Sequence, residues 1–258
     1  MSKPPRFFIS PDQVRDPSIT VTGDDLRHIR TVLRKQPGDL LTLLDGQGRE
    51  YTVRIRTIEK EKIDTEIVDQ RMRELPAVKI TLGQGLPKSD KMDLIVQKAT
   101  ELGVSSIVPL VTERTIVKMK DEEKRITRWQ KIIREAAMQS GRPDIPKVET
   151  IRPFRDYIFS LDPGPVTHAP DSSALGPRTL FLFPWEEGTE PVKNVLRQHR
   201  DAKHIVVLIG PEGGFSQGEA DAAKDKGFHL VSLGPNILRT ETAALAVLSM
   251  IGYETGSK

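Results

Sequence analysis

Segment 205–219 constrains the fold of this chain most, because a strand, a glycine-rich loop and a helix follow one another directly in it. The apolar run 205–209 is typical of a strand buried on both faces of a parallel sheet. It leads into Gly210-Pro-Glu-Gly-Gly-Phe-Ser216, where Ser216 and Glu219 have the spacing of a capping box. We expect this loop at the carboxyl edge of the sheet, where its glycines would let a ligand lie against backbone amides. Taken alone, the same residues could form only a tight strand-to-helix turn.

A second loop of similar design follows in Leu233-Gly-Pro-Asn-Ile-Leu-Arg-Thr-Glu-Thr-Ala243, again between a strand and a helix. The threonines and Glu241 are partly explained by helix capping and by the helix dipole, which favours negative charge at a helix start. Arg239 is not explained in this way, because a cation is mildly unfavourable there. The misfit indicates a functional role for Arg239.

The pattern of strands and helices divides the chain near residue 74. Residues 1–73 are rich in short strands separated by turn signals, which favours a small β-barrel. Residues 74–258 alternate strands with helices, which predicts an α/β domain whose mostly parallel sheet has helices on both faces. The expected strands are 6–9, 40–44, 51–58, 63–68, 79–82, 106–110, 179–183, 204–209 and 229–233; the expected helices are 90–102, 122–140, 191–200, 217–226 and 241–251; and 162–177 is a loop.

Positive charge is concentrated in two places, although the net charge is only +3. Residues 76–147 carry 14 basic and 9 acidic side chains, so polyanion affinity is expected there. An amphipathic helix near residue 30 carries arginines on the face opposite its apolar residues. Its apolar residues are Leu26, Ile29 and Leu33, and its basic residues are Arg27, Arg30 and Arg34. Both regions could contact phosphates or could be ordinary solvated surface.

Several familiar sites are excluded by the sequence. Without cysteine the chain has no disulfide or thiol nucleophile, and its histidines lack metal-ligand spacing, so no metal is expected. It has no P-loop motif, and Gly83-Gln-Gly85 lacks the third glycine of a dinucleotide fingerprint because Lys88 stands there. No apolar run is long enough to span a membrane and no signal peptide is recognisable, so a cytoplasmic location is expected.

The two loops and several other segments resemble the RsmE family of bacterial methyltransferases, in the SPOUT superfamily. The other matching segments are Lys88-Ser-Asp-Lys-Met-Asp-Leu-Ile-Val-Gln-Lys-Ala-Thr-Glu-Leu-Gly-Val104, Arg128-Trp-Gln-Lys-Ile132, Gln139-Ser-Gly-Arg142, Phe7-Phe8 and Arg27-His28 to Arg34. The family usually has Arg where Asn236 stands and Glu where Met138 stands. The resemblance implies an N-terminal PUA-like β-barrel, a SPOUT-type knotted parallel sheet, and methyl transfer to N3 of one uridine in 16S ribosomal RNA.

The resemblance also implies which residues form the site. The cofactor, S-adenosylmethionine, would contact residues of the loops and strand ends, namely Phe183, Pro184, Gly210, Pro211, Glu212, Gly213, Leu233, Gly234, Ile237, Leu238, Arg239, Thr242 and Ala243. RNA would contact Arg6, Arg27, Arg30, Arg34, Lys88, Lys91, Gln139 and Arg142. The substrate would be 16S rRNA within the 30S subunit, and the enzyme would be a homodimer.

The last helix gives the homodimer a physical argument. It is apolar around much of its circumference, because Leu245, Val247, Leu248 and Ile251 point in different directions. Such a helix must be covered on several sides, either by its own chain or by a partner subunit.

The reaction that the resemblance implies defines what catalytic residues must do. Uridine N3 carries a proton at neutral pH, and a fixed guanidinium beside O2 or O4 would stabilise the anion formed when that proton leaves. Arg142 and Arg239 are the candidates, and Glu241 could orient Arg239 or accept the proton. Alternatively, both arginines bind only phosphate. Two other functions stay open: methylation of a different RNA site, and a non-catalytic role in ribosome assembly.

Overall fold

The computed structural model describes residues 4–88, 90–116, 121–161 and 179–256. The expected loop at 162–177 lies outside these residues. Within them the chain forms two compact units, the first made of Met1–Leu75 and Ala137–Ile145 and the second of Pro76–Ala136 and Pro146–Lys258. The first unit is therefore discontinuous in sequence.

The first unit is built on a curled, mainly antiparallel sheet. Its elements are β1 (Arg6–Phe8), a 3-10 turn (Pro11–Gln13), β2 (Val14–Arg15), β3 (Ser18–Val21), α1 (Asp24–Arg27) continuing into a π-helical turn (His28–Val32), β4 (Leu40–Leu44), β5 (Arg49–Ile58) and β6 (Ile63–Met72). The strand order is β1-β4-β5-β6-β3-β2. Register shifts near Thr52 and Ile55 let the long strand β5 bend, because a bulge increases local twist. Buried aliphatic residues from β3, β4, β5 and β6 form one core on the inner face.

The helix near residue 30 differs from its expected form. Leu26 and Ile29 are buried, as expected, but Leu33 is 37% exposed. The reason is the π-helical turn, in which the N–H of Leu33 donates to the carbonyl of His28, five residues earlier. This wider turn rotates Leu33 away from the core.

The second unit is an α/β structure. Its elements are β7 (Lys79–Gly85), α2 (Lys91–Glu101), β8 (Ser106–Val111), α3 (Glu122–Ser140), β9 (Lys147–Val148), β10 (Arg152–Pro153), α4 (Phe154–Ser160), β11 (Thr179–Pro184), β12 (Glu190–Pro191), α5 (Val192–Gln198), β13 (His204–Ile209), α6 (Gln217–Asp225), β14 (His229–Ser232) and α7 (Thr240–Thr255); the last residues of α3 belong to the first unit. The strand order is β10-β8-β7-β13-β11-β14-β12, and the described pairs are parallel.

Helices cover both faces of this parallel sheet. Val206 and Leu208 of β13 pack into a cluster that includes Phe154 of α4 and Ala220 of α6. The alternate residues of β13 are also buried, and α7 contacts this strand and packs against α2 and α5. The expected parallel sheet with helices on both faces is therefore confirmed. Among the described residues, no helix combines the length and apolar character needed to cross a membrane.

Candidate cofactor pocket

The first glycine-rich loop is folded tightly against itself. A β-carbon placed on Gly210 would lie 3.0 Å from the carbonyl carbon of Gly214. The N–H of Gly214 donates to the carbonyl of Pro211 at 2.9 Å, and Gly214 has a φ of +68°, which favours glycine. The loop ends in the expected capping box, because Ser216 Oγ accepts from the N–H of Glu219 and Glu219 Oε2 accepts from the N–H of Ser216. The chain's own backbone thus fixes this loop.

The second loop, 233–239, lies more open. Gly234 has a φ of +133°, which favours glycine, and a β-carbon there would meet nothing within 4 Å. Residues 234–237 are exposed, and Ile237 retains 83% of its accessible surface. Arg239 is the N-cap residue of α7, and its exposed side chain makes no cap hydrogen bond.

A buried threonine joins the two loops. Thr240, the first residue of α7, donates its hydroxyl hydrogen to the carbonyl of Gly210 at 2.6 Å. The same oxygen accepts from Gln84 Nε2 at 2.9 Å, and both side chains are buried. Gln84 lies near the end of β7 and Gly210 follows β13, so the ends of two strands and the start of α7 are tied at one point. In the sequence Gln84 stands within the broken dinucleotide motif Gly83-Gln-Gly85, and the feature that marks it is a polar residue at the end of an apolar strand.

Lys91 forms a second link between the loops. Its Nζ lies 3.1 Å from Oε1 of Glu212 in the first loop and 3.4 Å from Oε2 of Glu241 at the start of α7. Both oxygens of Glu212 also accept from the N–H of Lys88, each at 3.1 Å. Burial alone would raise the pKa of Glu212, but hydrogen bonds from its own N–H, Lys91 and Lys88 outweigh it and lower the pKa. The bond to Glu212 raises the pKa of Lys91 despite an opposing effect of burial.

Two of the residues in these contacts, Lys91 and Glu241, had other expected partners. Lys91 was expected to contact RNA, but its ammonium group lies beside two carboxylates in the pocket. Glu241 was expected either to orient Arg239 or to accept the proton, and the ion pair that the structure gives it is with Lys91. An RNA contact by Lys91 and a direct catalytic role of Glu241 stay predictions.

Between the two loops lies a pocket of about 370 Å³. Most of the expected cofactor residues line it: Pro184, Gly210, Pro211, Glu212, Gly213, Leu233, Gly234, Ile237, Leu238, Arg239 and Ala243. Two lie elsewhere. Phe183 is fully buried in the core, with its ring 4.4 Å from that of Phe215, and the side chain of Thr242 is exposed on α7. Lining residues outside the expected cofactor set are Lys91, Trp185, Glu186, Ile209, Gly214, Phe215, Ser232, Pro235, Asn236 and Thr240.

Gly213 has a structural role that the sequence did not reveal. A β-carbon there would lie 3.3 Å from Cβ of Arg114, and Arg114 Nη1 donates to the Gly213 carbonyl at 2.8 Å. Its lack of a side chain therefore allows close packing against Arg114.

The expected RNA contacts lie in both units. Arg27, Arg30 and Arg34 are exposed in the first unit, where Arg30 Nη1 donates to the carbonyls of Glu59 and Lys60 at 3.3 Å. Arg142 belongs to the same unit, is buried, and donates to both carboxylate oxygens of Asp144 at 3.2 and 2.7 Å. Arg239 belongs to the second unit, so the two candidate catalytic arginines lie in different units.

Comparison with known proteins gives this architecture a family. A model of the RNA methyltransferase domain matches residues 73–252, and one of the RNA methyltransferase PUA domain matches residues 21–68. The chain is 31% identical to ribosomal RNA small subunit methyltransferase E of Bacillus subtilis, over 97% of this chain and 96% of that protein. This chain belongs to the ribosomal RNA small subunit methyltransferase E family.

Solved structures support the same assignment. The family member from Neisseria gonorrhoeae, bound to S-adenosyl methionine, matches with a TM-score of 0.83 at 31% identity, covering 97% of this chain and 98% of that one. A methyltransferase from Legionella pneumophila, in complex with the same cofactor, matches at 0.82 and 28%, covering 98% of each chain. The resemblance seen in the sequence is confirmed, as is the SPOUT-type α/β fold with a PUA-like N-terminal domain.

Two residues depart from the pattern expected of a methyltransferase E. Met138 packs against Phe8, Leu44 and the other apolar residues of the first unit. An apolar side chain suits this place, which accounts for Met138 locally. Asn236 lies exposed on the rim of the pocket, and nothing in the structure explains why it replaces Arg.

Proposed function

We propose that this chain transfers a methyl group from S-adenosylmethionine to N3 of a specific uridine in 16S ribosomal RNA. The observation that carries the proposal is the pocket between the two glycine-rich loops, at the carboxyl edge of the parallel sheet, in a member of the methyltransferase E family. That edge is where open α/β proteins bind small molecules.

The pocket fits the methyl donor in size and in lining. Its volume of about 370 Å³ lies within the range of small-molecule pockets, roughly 300–1,000 Å³. Leu233, Ile237, Leu238 and Ala243 supply apolar contacts for a nucleoside base, and the backbone of the first loop offers hydrogen-bonding groups. When bound, the donor supplies an activated methyl group, so the protein's task is to align and ionise the uridine.

Arg239 is the residue we propose for that task. Its guanidinium is exposed at the rim of the pocket and at the start of α7, where a substrate base can approach it. A cation beside a uracil oxygen stabilises the negative charge left when the N3 proton departs. Glu241, held by Lys91, would accept that proton or orient Arg239. A catalytic role for Arg142, which is buried and paired with Asp144, stays a prediction.

Arg239→Lys tests this role, because lysine keeps the charge and loses the planar fork. If Arg239 acts on the uracil, kcat falls at neutral pH and partly recovers at higher pH, where uridine ionises unaided. A normal kcat with a raised KM for RNA would assign Arg239 to binding alone.

The reaction itself is tested by mapping the methylated nucleotide. Purified protein, labelled donor and 30S subunits from a strain that lacks the modification should give one N3-methyluridine. Methylation at another nucleotide would show that this enzyme has a different RNA target. Donor binding without any transfer to RNA or subunits would indicate a non-catalytic assembly factor.

We further propose that residues 1–73 form an RNA-binding domain and residues 74–258 the methyltransferase domain with a C-terminal trefoil knot. We place the protein in the cytoplasm, where 30S subunits are assembled. Loss of RNA affinity in a variant with Arg27, Arg30 and Arg34 all changed to glutamine, with donor affinity unchanged, would support the RNA assignment. An unaltered salt dependence would identify these arginines as solvated surface.

The homodimer is also part of the proposal. Val247, Leu248 and Ile251 are fully buried within the chain itself, so they do not require a partner. Leu94 of α2 and Tyr253 of α7 remain 43% and 85% exposed, and α2 packs against α7. A second copy would cover these side chains. Sedimentation at micromolar concentration should give twice the chain mass, and a monomer would refute the dimer.

A further inference from the structure

A group of arginines in the first unit surrounds the loop at Gly141. Arg73 Nη1 donates to the carbonyl of Gly141 at 2.7 Å. A β-carbon on Gly141 would collide with Nη1 of Arg6, and the φ of +72° also favours glycine at this position. Arg71, on β6, lies opposite Glu50 on β5 and forms an ion pair with it. Neither the sequence motifs nor the expected RNA contacts included Arg71 or Arg73.

Glu50 is a buried carboxylate that holds two of these arginines. Its side chain is 5% exposed; it pairs with Arg71 through Oε1 and lies 3.6 Å from Nη1 of Arg73 through Oε2. Glu50 contacts one nitrogen of the Arg71 guanidinium, Nη2, so this buried carboxylate restrains the group without occupying all its N–H donors. The side chain of Arg71 remains 60% exposed. This arrangement prepares a planar donor for a bidentate acceptor such as a phosphate.

The charge of the group favours an anionic partner. Arg71 and Arg73 share the single carboxylate of Glu50 in the described ion pairs, and Arg6 also lies at Gly141, which leaves an excess of positive charge beside this loop. Gln139 and Ser140, the last two residues of α3, are exposed and add polar groups next to this loop.

We propose that Arg71 and Arg73, together with Arg6, bind the phosphodiester backbone of the RNA substrate, and that Glu50 is the residue that positions them. The inference rests on the proposed function, because the RNA supplies the phosphates. These contacts hold the RNA in register without reading its sequence.

The chain offers a matched control for Arg71. Arg56 on β5 also pairs with a glutamate on the neighbouring strand, Glu66, and its side chain is 62% exposed. The difference lies in the carboxylate, since Glu66 is 43% exposed and Glu50 is 5% exposed. Both pairs join β5 and β6 of the same sheet. They differ in that the carboxylate is buried in the Arg71 pair and exposed in the Arg56 pair, which makes Arg56 a control for surface charge alone.

The test measures the affinity of the full-length protein for polyuridylate and for a small-subunit rRNA transcript as a function of salt. We expect Arg71→Gln to weaken binding by about three- to tenfold at low salt and to reduce the salt slope by about 0.7 to 1. Arg56→Gln should leave the slope unchanged. Equal slopes for both variants would overturn the proposal, and binding of inorganic phosphate with no effect on RNA would indicate a free-anion site instead.

Glu50→Gln separates positioning from simple charge. The substitution makes the protein more basic, so a purely electrostatic surface would bind RNA more tightly. A positioning role predicts weaker RNA binding with unchanged donor affinity, and tighter binding would refute it. If Glu50→Gln does not fold, Arg71→Lys tests the same point. Lysine keeps the charge but lacks the planar guanidinium, so a positioning role predicts a loss of RNA affinity in this variant as well. If the wild type transfers methyl groups and the Arg71 and Arg56 variants have the same RNA affinity, the arginine site is refuted and the proposed function is not. If the wild type binds RNA and transfers no methyl group, the proposed function is refuted and the arginine site is not.

Discussion

The two loops around the pocket share a Gly-Pro pair and are held in different ways. The first, 210–216, is buttressed by its own backbone at Gly210 and Gly214 and closed by a capping box at Ser216. The second, 233–239, has exposed residues from 234 to 237. Both follow parallel strands and lead into helices, so this difference does not come from the surrounding topology.

This difference predicts that loop 210–216 is the more rigid side of the pocket and loop 233–239 the side that changes more when a ligand binds. A loop whose backbone is packed against itself keeps its shape whether or not a ligand is present. A loop whose apolar side chains are exposed becomes packed only when a ligand binds against those side chains. Changes in the first loop should therefore lower stability and donor affinity together, whereas changes in the second should lower donor affinity alone.

The largest effect is expected for Gly210→Ala. The new β-carbon would press on the backbone of Gly214, and overpacking of this kind costs about 1–3 kcal/mol. We expect a lower unfolding midpoint and a loss of donor affinity of at least about tenfold, measured by thermal melting and calorimetry. Gly218→Ala is the control: this glycine lies in the first turn of α6, where a β-carbon meets only Ser216 Oγ at 3.9 Å, and alanine there should be neutral or stabilising. Equal effects of the two changes would contradict a rigid first loop.

Thr240→Val should have the next largest effect, because it cuts the link between the loops. Valine keeps the shape but leaves the carbonyl of Gly210 and Nε2 of Gln84 without this partner, at a cost of about 1–2 kcal/mol in the free energy of unfolding. Thr240→Ser keeps the hydroxyl and should restore most of the donor affinity. If serine and valine behave alike, the hydroxyl does not join the loops.

Lys91→Met should have a smaller, pH-dependent effect. The lowered pKa of Glu212 means that its stabilising contribution is present above its ordinary value of 4.5 and is lost as the pH falls through the lowered value. The raised pKa of Lys91 means that its contribution is present below 10.5 and is lost at more alkaline pH. The difference in unfolding midpoint between wild type and variant should therefore be greatest between these limits. Lys98→Met is the control, since Lys98 pairs only with Glu101 on its own helix in the described contacts, and a similar pH profile would rule out the bridge.

The smallest effect on stability is expected for Ile237→Ser. Because Ile237 is 83% exposed, the free energy of unfolding should change by less than about 0.5 kcal/mol. Donor affinity should nevertheless fall, because Ile237 lines the pocket. Phe159→Ser removes another exposed apolar side chain, one that does not line this pocket, and should leave donor affinity unchanged. A clear loss of stability in the Ile237 variant would show that the second loop is as firmly packed as the first.

The sequence predicts what depends on neighbours along the chain. Strands 40–44 and 204–209 and helix 122–140 have the expected bounds because apolar periodicity and turn residues define them locally. The capping box at Ser216 is predicted for the same reason. The bridge from Lys91 to Glu212 and Glu241 joins residues more than a hundred positions apart, and no pattern in the sequence indicates it. Glu50 and Arg71 escaped notice because their partnership depends on the strand register.

The discontinuity of the first unit has a consequence for its synthesis. Ala137 and Ile145 pack against Phe8 and Leu44, yet they follow the 61 residues of 76–136 in the chain. At roughly 5–20 residues per second, translation of that interval takes about 3–12 s. During this time the nascent N-terminal sheet exposes the apolar surface around Phe8. A fragment that ends at Leu75 should therefore aggregate when expressed, and a fragment that ends after Ile145 should be more soluble.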